Sequence, residues 1–138
     1  VTLLGSGAIL NEVIRAADLL FEHGIHATVF SVTSWSELAR DGKLVEKNQM
    51  TQKIDAKTGV DMAFITQQLL QSAGLIIAAT DYVHAVPESI RAYIPEGRKY
   101  ITLGTDGFGR SDTRAVLRDY FGVDAQSIVQ AVLANIQE

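Results

Sequence analysis

Short β-branched apolar runs alternate along the chain with longer stretches whose apolar residues recur every three or four positions, the pattern of an α/β domain. "VTLLG", Val1 to Gly5, predicts the first strand. After "GSG", Leu10, Val13, Ile14, Ala17, Leu20 and Phe21 fall at helical spacing on one face, and Gly24 supplies the stop. "HATVFSV" predicts a second strand, and "SWSELAR" a short helix capped by Ser34, with Glu37 three residues on completing a capping box. From Asp41 to Thr58 the pattern turns polar and aperiodic, which predicts an exposed excursion.

Helical period returns from Val60 to Gln71 through Met62, Ile65, Leu69 and Leu70, and Gly74 ends it ahead of a third strand, "LIIAAT". Pro87 suits a helix's first turn, where an amide would have no intrahelical partner, so a helix is predicted from near Pro87 to just before Pro95. "KYITLG" predicts the fourth strand. Ser111 is placed to cap a helix reaching Phe121, with Gly122 as its stop. Asp124 is placed to cap a last helix whose Ile128, Val129, Val132, Leu133 and Ile136 share a face. Strands this apolar, each separated from the next by helix, imply a mostly parallel sheet covered on both sides. Ligands of such sheets bind beyond the strands' carboxyl ends, where the turns "GSG" and "GTDGFGRSD" both fall.

The 138 residues, 47% of them hydrophobic, match one domain over 1–138 with a sizeable core. A net charge of -4, with the twelve Lys and Arg dispersed, argues against a nucleic-acid binder. No apolar run approaches the ~18 residues that a membrane span needs. The absence of cysteine excludes disulfides and thiolate metal sites and fits a reducing, cytoplasmic compartment. Val1 opens inside a strand-like run without an initiating methionine, so a fragment of a longer chain is expected.

"LLGSGAIL" begins like a dinucleotide fingerprint, but Leu10 stands where the third glycine belongs. The second strand runs into Thr33, Ser34 and Trp35 rather than an acidic residue for a ribose, so a tight strand-to-helix turn is the better reading. "GTDGFGRSD" lacks the Lys-Ser or Lys-Thr of a phosphate loop. Anion binding stays open there: Arg110, the Ser111 amide at a helix N-terminus, and Arg114 and Arg118 at i+4 spacing suit a carboxylate or an acidic surface. The plainer alternative has Asp106 and Asp112 holding turn amides while the arginines form salt bridges. His23, His26 and His84 have no zinc-site spacing, and no G-x-S-x-G elbow presents a nucleophile. Trp35 reads as core or interface packing. On the residues alone, binding or assembly ranks ahead of self-contained catalysis.

"LLGSGAIL", "FSVTSWSELARDG" and above all "YITLGTDGFGRSDTRAVLRDYFGVDA" together resemble the C-terminal domain of the homodimeric, bacterial-type pyruvate dehydrogenases, whose domain is transketolase-like. The likeness extends over nearly the whole chain through "ATDYV" and "IRAYIP" and is weakest from Thr51 to Gly74. It implies a three-layer α/β/α sandwich with a mostly parallel, mixed sheet, one strand lying upstream of Val1. It also implies a part in decarboxylating pyruvate with thiamine diphosphate and reductively acetylating a lipoyl group. The resemblance puts thiamine diphosphate and magnesium on the family's other two domains. The family's magnesium motif begins Gly-Asp-Gly and ends in asparagines, and nothing here matches it; the run Gly104 to Gly107 has the wrong order. No catalytic, cofactor-binding or metal residue is therefore assigned, and the isolated chain is expected to be inactive. Implied partners are the other domains of the chain, a homodimeric partner subunit and the dihydrolipoyl acetyltransferase component, in a bacterial cytoplasm. Arg110, Ser111, Asp112, Arg114 and Arg118 stand as interface or anion contacts. The alternative is an independent α/β module that binds an anionic metabolite through the Arg110 to Arg118 face.

Overall fold

The structure, a computed structural model, describes residues 1–51, 62–81, 85–104 and 123–136. Among these residues, four strands form one sheet: β1 (Thr2–Gly5), β2 (Thr28–Ser31), β3 (Ile76–Ala79) and β4 (Tyr100–Leu103), in the order β2-β1-β3-β4. All the pairings are parallel, with Thr2 opposite both Thr28 and Ile76, and Ile76 opposite Tyr100. Helix α1 (Ile9–Glu22) joins β1 to β2, and α2 (Trp35–Thr51) and α3 (Phe64–Leu69) lie between β2 and β3. The short α4 (Ala85–Glu88) and a 3₁₀ turn (Arg91–Tyr93) lead to β4, and α5 (Ala125–Asn135) comes last.

Right-handed crossovers decide which face each helix covers. The step from β1 to β2 goes one way along the sheet, and the steps to β3 and β4 go the other, so α1 lies opposite α2, α3 and α4. Side chains alternate along the strands to serve both layers. Leu3 and Ile77 bury against α1 and α5, whose Ile9, Val13, Ala16, Leu20, Ile128, Val129 and Val132 complete that core. Leu4, Ile76, Ala78 and Tyr100 bury on the other side against Trp35, Ala39, Ile65, Leu69, Ile90 and Tyr93. This is the three-layer α/β/α arrangement with its strands parallel.

The four strands fall within the runs that the pattern marks, and Gly24 ends α1 with a positive φ of 78°. There the Ile25 amide donates to the Leu20 carbonyl at 2.9 Å, closing the last turn. Other elements depart from the sequence expectation. The buried stripe of α1 is Ile9, Val13, Ala16 and Leu20, whereas Phe21 is 73% exposed and Ile14 46% exposed. The helix is apolar over more than one face, and contact with both the sheet and α5 selects the stripe one position over. The polar stretch 41–51 is not an excursion but the second half of α2. Residues 52–61 lie outside the described set, so the rest of the predicted excursion and the start of the predicted Val60 helix do too. The helix between Pro87 and Pro95 is broken: Pro87 sits in α4's first turn, and the chain resumes only as a 3₁₀ turn. The Tyr100 hydroxyl, buried with it, donates to the Pro87 carbonyl at 2.7 Å, taking an acceptor that a continuing helix would use. Asp124 occupies the N-cap of α5, but its Oδ1 accepts the Ser127 hydroxyl and no amide. The first α5 amide, of Ala125, donates instead to Glu12 Oε1 on α1 at 2.9 Å. Ser34 does cap α2, accepting the Glu37 amide at 3.2 Å, while the Glu37 carboxylate turns to Arg40 at 2.6 Å rather than closing the box. The predicted helix from Ser111 to Phe121 lies outside the described residues.

Packing explains why α2 persists through a polar sequence. The Asp41 Oδ2 accepts the Phe64 amide at 2.7 Å and so tethers the start of α3, and Glu46 Oε1 accepts the Tyr93 hydroxyl at 3.1 Å. Gly42 lets the Tyr93 ring lie directly on the α2 backbone, since a Cβ there would come within 2.5 Å of the ring. Gly42→Ala is expected to lower stability by about 1 kcal/mol, despite alanine's advantage of about 1 kcal/mol in an open helix. Urea unfolding checks this, and a stabilised variant would show that Tyr93 is free to move aside.

Candidate functional site at the carboxyl edge of the sheet

The strand order reverses direction between β1 and β3, which places the crevice favoured for ligands at their carboxyl ends. Ser6 follows β1 there and Thr80 follows β3, 74 positions apart, and the Ser6 hydroxyl donates to Thr80 Oγ1 at 3.1 Å. From the α2 side, the Trp35 indole donates to Ser6 Oγ at 3.0 Å. The three side chains are almost inaccessible, at 5%, 0% and 4% for Ser6, Thr80 and Trp35. "GSG" serves this arrangement: Gly7 takes φ 58° to turn the chain into α1, and Gly5 lets α1 cross close over the strand end. The glycines thus take part in the strand-to-helix turn read from the sequence.

The chemistry of the crevice follows from its bonds. Ser6 Oγ is engaged by an indole and a hydroxyl, and among the described residues no base stands against it to activate it as a nucleophile. These buried bonds tie β1, β3 and the start of α2 together. Ser6→Ala removes the acceptor of a buried indole and is expected to cost about 2 kcal/mol. The expected readout is a lower urea midpoint together with an altered emission of Trp35, the only tryptophan. An unchanged emission would mean that the indole is not held by Ser6.

Next to this edge, on the α4 side, Glu88 receives Arg91 through two bonds of 2.6 and 2.7 Å and the Thr102 hydroxyl at 2.7 Å. The Arg91 guanidinium lies 5.0 Å over the Tyr100 ring. Burial, with the Glu88 carboxylate adding to it and Arg91 opposing it, pushes the Tyr100 phenol far above its ordinary pKa. It therefore stays a donor to Pro87. At the opposite, amino end of the sheet, Arg98 donates to the carbonyls of Gly74 (2.7 Å), Leu69 (2.8 Å) and Ser72 (3.2 Å). It also reaches Thr2 Oγ1 at 3.3 Å, and burial lowers its pKa. Sequence reading missed Arg98, Glu12 and the Ser6 to Trp35 pair. The one signal for the first was a polar Thr2 inside the apolar run "VTLL".

Of the residues singled out from the sequence, Trp35 is buried in the core as its type suggests. Arg110, Ser111, Asp112, Arg114 and Arg118 lie outside the described residues, as do Asp106 and His84. Among the described residues, no group of three His, Cys, Asp or Glu could hold a metal ion. No step of cofactor chemistry is assigned to them. No helix among the described residues is long and apolar enough to cross a membrane.

A parallel sheet in this order, covered by helices on both sides, defines a class that the family comparison names. The chain belongs to the transketolase-like C-terminal domain family, whose model matches residues 1–124. Its curated relatives include pyruvate dehydrogenase E1 components. That of Mycolicibacterium smegmatis is 46% identical over 135 residues, which cover 97% of this chain and 14% of the relative. That of Cupriavidus necator is 43% identical over 139 residues, 100% of this chain and 15% of the relative. That of Escherichia coli K12 is 42% identical over 137 residues, 99% of this chain and 15% of the relative. The chain thus spans only about one seventh of the length of these proteins. Among solved structures, a split-gene transketolase described as an inactive beta4 tetramer superposes with a TM-score of 0.60 at 19% identity, covering 96% of this chain and 38% of that one. Transketolase from Campylobacter jejuni also gives 0.60, at 21% identity, covering 97% of this chain and 16% of that one. These two show the fold.

Proposed function

We propose that the chain is the C-terminal domain of a pyruvate dehydrogenase of the acetyl-transferring type, forming one domain over 1–138. The carrying observation is the 46% identity to a pyruvate dehydrogenase E1 component over 97% of this chain. In the whole enzyme, thiamine diphosphate with magnesium would supply the decarboxylating chemistry from other domains. The work of this domain is assembly: burying surface against those domains and against the partner subunit of a homodimer. Arg110, Ser111, Asp112, Arg114 and Arg118 are its contacts in that assembly. The dihydrolipoyl acetyltransferase component is the acyl acceptor's carrier, and the bacterial cytoplasm is the compartment. The independent anion-binding module has no comparable support, because in each relative the matching segment is a small part of a longer protein.

The test is a chimera in which residues 1–138 replace the matching segment of the Mycolicibacterium smegmatis relative. Pyruvate-dependent acetylation of a lipoyl domain is expected to stay within about tenfold of the parent, that is, within about 1.4 kcal/mol of barrier. A folded, dimeric chimera with no turnover would overturn the reading. Titration calorimetry of the chain alone with thiamine diphosphate and magnesium is expected to give no tight stoichiometric binding.

A further inference from the structure

We propose that the outer stripe of α1 docks an amphipathic, basic-bordered helix from elsewhere in a longer polypeptide; this occupant rests on the reading of the chain as one domain of such a polypeptide. Leu10, Ile14, Ala17 and Phe21 recur at four, three and four residues. They form a seam distinct from the buried stripe of Ile9, Val13, Ala16 and Leu20. Leu10 and Ala17 are half-buried, whereas Ile14 and Phe21 stand exposed, about 10 Å apart along the helix. Glu12, which accepts the Ala125 amide, marks the flank of α1 toward α5 and lies across the helix from this seam. A spacing of four, three and four presents its side chains to the holes of a second helix along its whole length.

The border of the seam sets the partner's charge. Asp18 lies one turn from both Ile14 and Phe21, and Glu22 follows a turn later. Neither has an ion-pair or hydrogen-bond partner among the described residues. Both stand toward the carboxyl end of α1, whose last turn holds no basic residue. The helix dipole opposes negative charge there, and Lys or Arg from outside the helix would relieve that cost. Arg15 is drawn to Glu12 instead, at 3.5 Å. A second copy is the poorer occupant, because pairing α1 with itself adds two more such carboxylates and no basic residue except Arg15. The source is the remainder of the polypeptide, since this chain covers only 14% of the Mycolicibacterium smegmatis relative.

The chain has no cysteine, so Phe21→Cys introduces a single reporter thiol. Its alkylation by iodoacetamide is followed by mass spectrometry in the chain alone and in the chimera that carries residues 1–138. The rate is expected to fall about tenfold or more in the chimera. Arg15→Cys, on an exposed side away from the seam, should react equally fast in both. Adding Asp18→Lys and Glu22→Lys is expected to restore the rate at position 21 about threefold in the folded chimera. In the chain alone the same pair should leave the urea midpoint unchanged or raise it, because it removes acids from the dipole's negative end. Equal alkylation in the chain and the folded chimera overturns the proposal, as does a protected thiol indifferent to the charge reversal. Slowing that grows with concentration in the chain alone also overturns it, by making a second copy the occupant. A chimera that turns over with a freely alkylated thiol overturns this proposal alone. One that protects the thiol but does not turn over overturns the reading of the whole enzyme alone.

Discussion

Gly5→Val is expected to be the most damaging single change in the described part of the chain, costing about 3 kcal/mol and lowering the urea midpoint accordingly. A Cβ at Gly5 would stand 2.7 Å from Val13 Cγ2 and 3.3 Å from the Leu10 Cα. Neither neighbour can yield easily, since Val13 is 1% exposed and Leu10 presents backbone. The whole of α1 would have to rise off the end of β1. A staged experiment separates this from a general intolerance of the turn. Gly5→Ala should cost about 1–2 kcal/mol, and adding Val13→Ala should return part of that loss, because it removes the methyl that clashes. A Gly5→Val chain with an unchanged midpoint would show that α1 does not cross β1 at this point.

Arg98→Ala comes second, at about 2–3 kcal/mol. The guanidinium serves carbonyls of Leu69, Ser72 and Gly74 and the hydroxyl of Thr2, bridging the end of α3, the approach to β3 and the start of β1. All but the Gly74 carbonyl are partly buried, so water can reach only some of them once the side chain is gone. Arg98→Lys should recover little, because an ammonium cannot present donors in the planar fork that spans the separated carbonyls. Recovery of most of the stability by lysine would mean that charge, not geometry, is what matters at this position.

The strands and their parallel arrangement were legible because each is a short apolar run between helical segments, and "LIIAAT" leaves no solvent face to choose. Gly24 was legible as a stop because a positive φ is cheap only for glycine. The second half of α2 was not legible: its apolar side chains are sparse, and Asp41, Gly42 and Glu46 hold it through partners 23 to 51 residues away. Local pattern carries no trace of such contacts. The stripe on α1 was ambiguous for the opposite reason, an excess of apolar residues. Ile14 and Phe21 compete with Ile9 and Ala16, and only the position of α5 decides between them. At the carboxyl edge, the glycines of "GSG" marked a turn, but nothing adjacent to Ser6 in sequence marked Trp35 and Thr80 as its partners. The family resemblance rested most heavily on "LGTDGFGRSD", of which only Leu103 and Gly104 are described.

The bond from the Ala125 amide to Glu12 joins groups 113 positions apart, and it belongs to a core layer in which, among the described residues, α1 and α5 pack against the sheet. That separation orders events during synthesis. The β1 to α2 portion can emerge and collapse on the Trp35 side early, but the α1 layer stays half-covered until Val123 to Val132 follow. Contacts this distant in sequence form late and slow the final step. A nascent chain stalled short of α5 would consequently lack the cover that α5 gives to Val13, Ala16 and Leu20, the kind of apolar surface that invites aggregation.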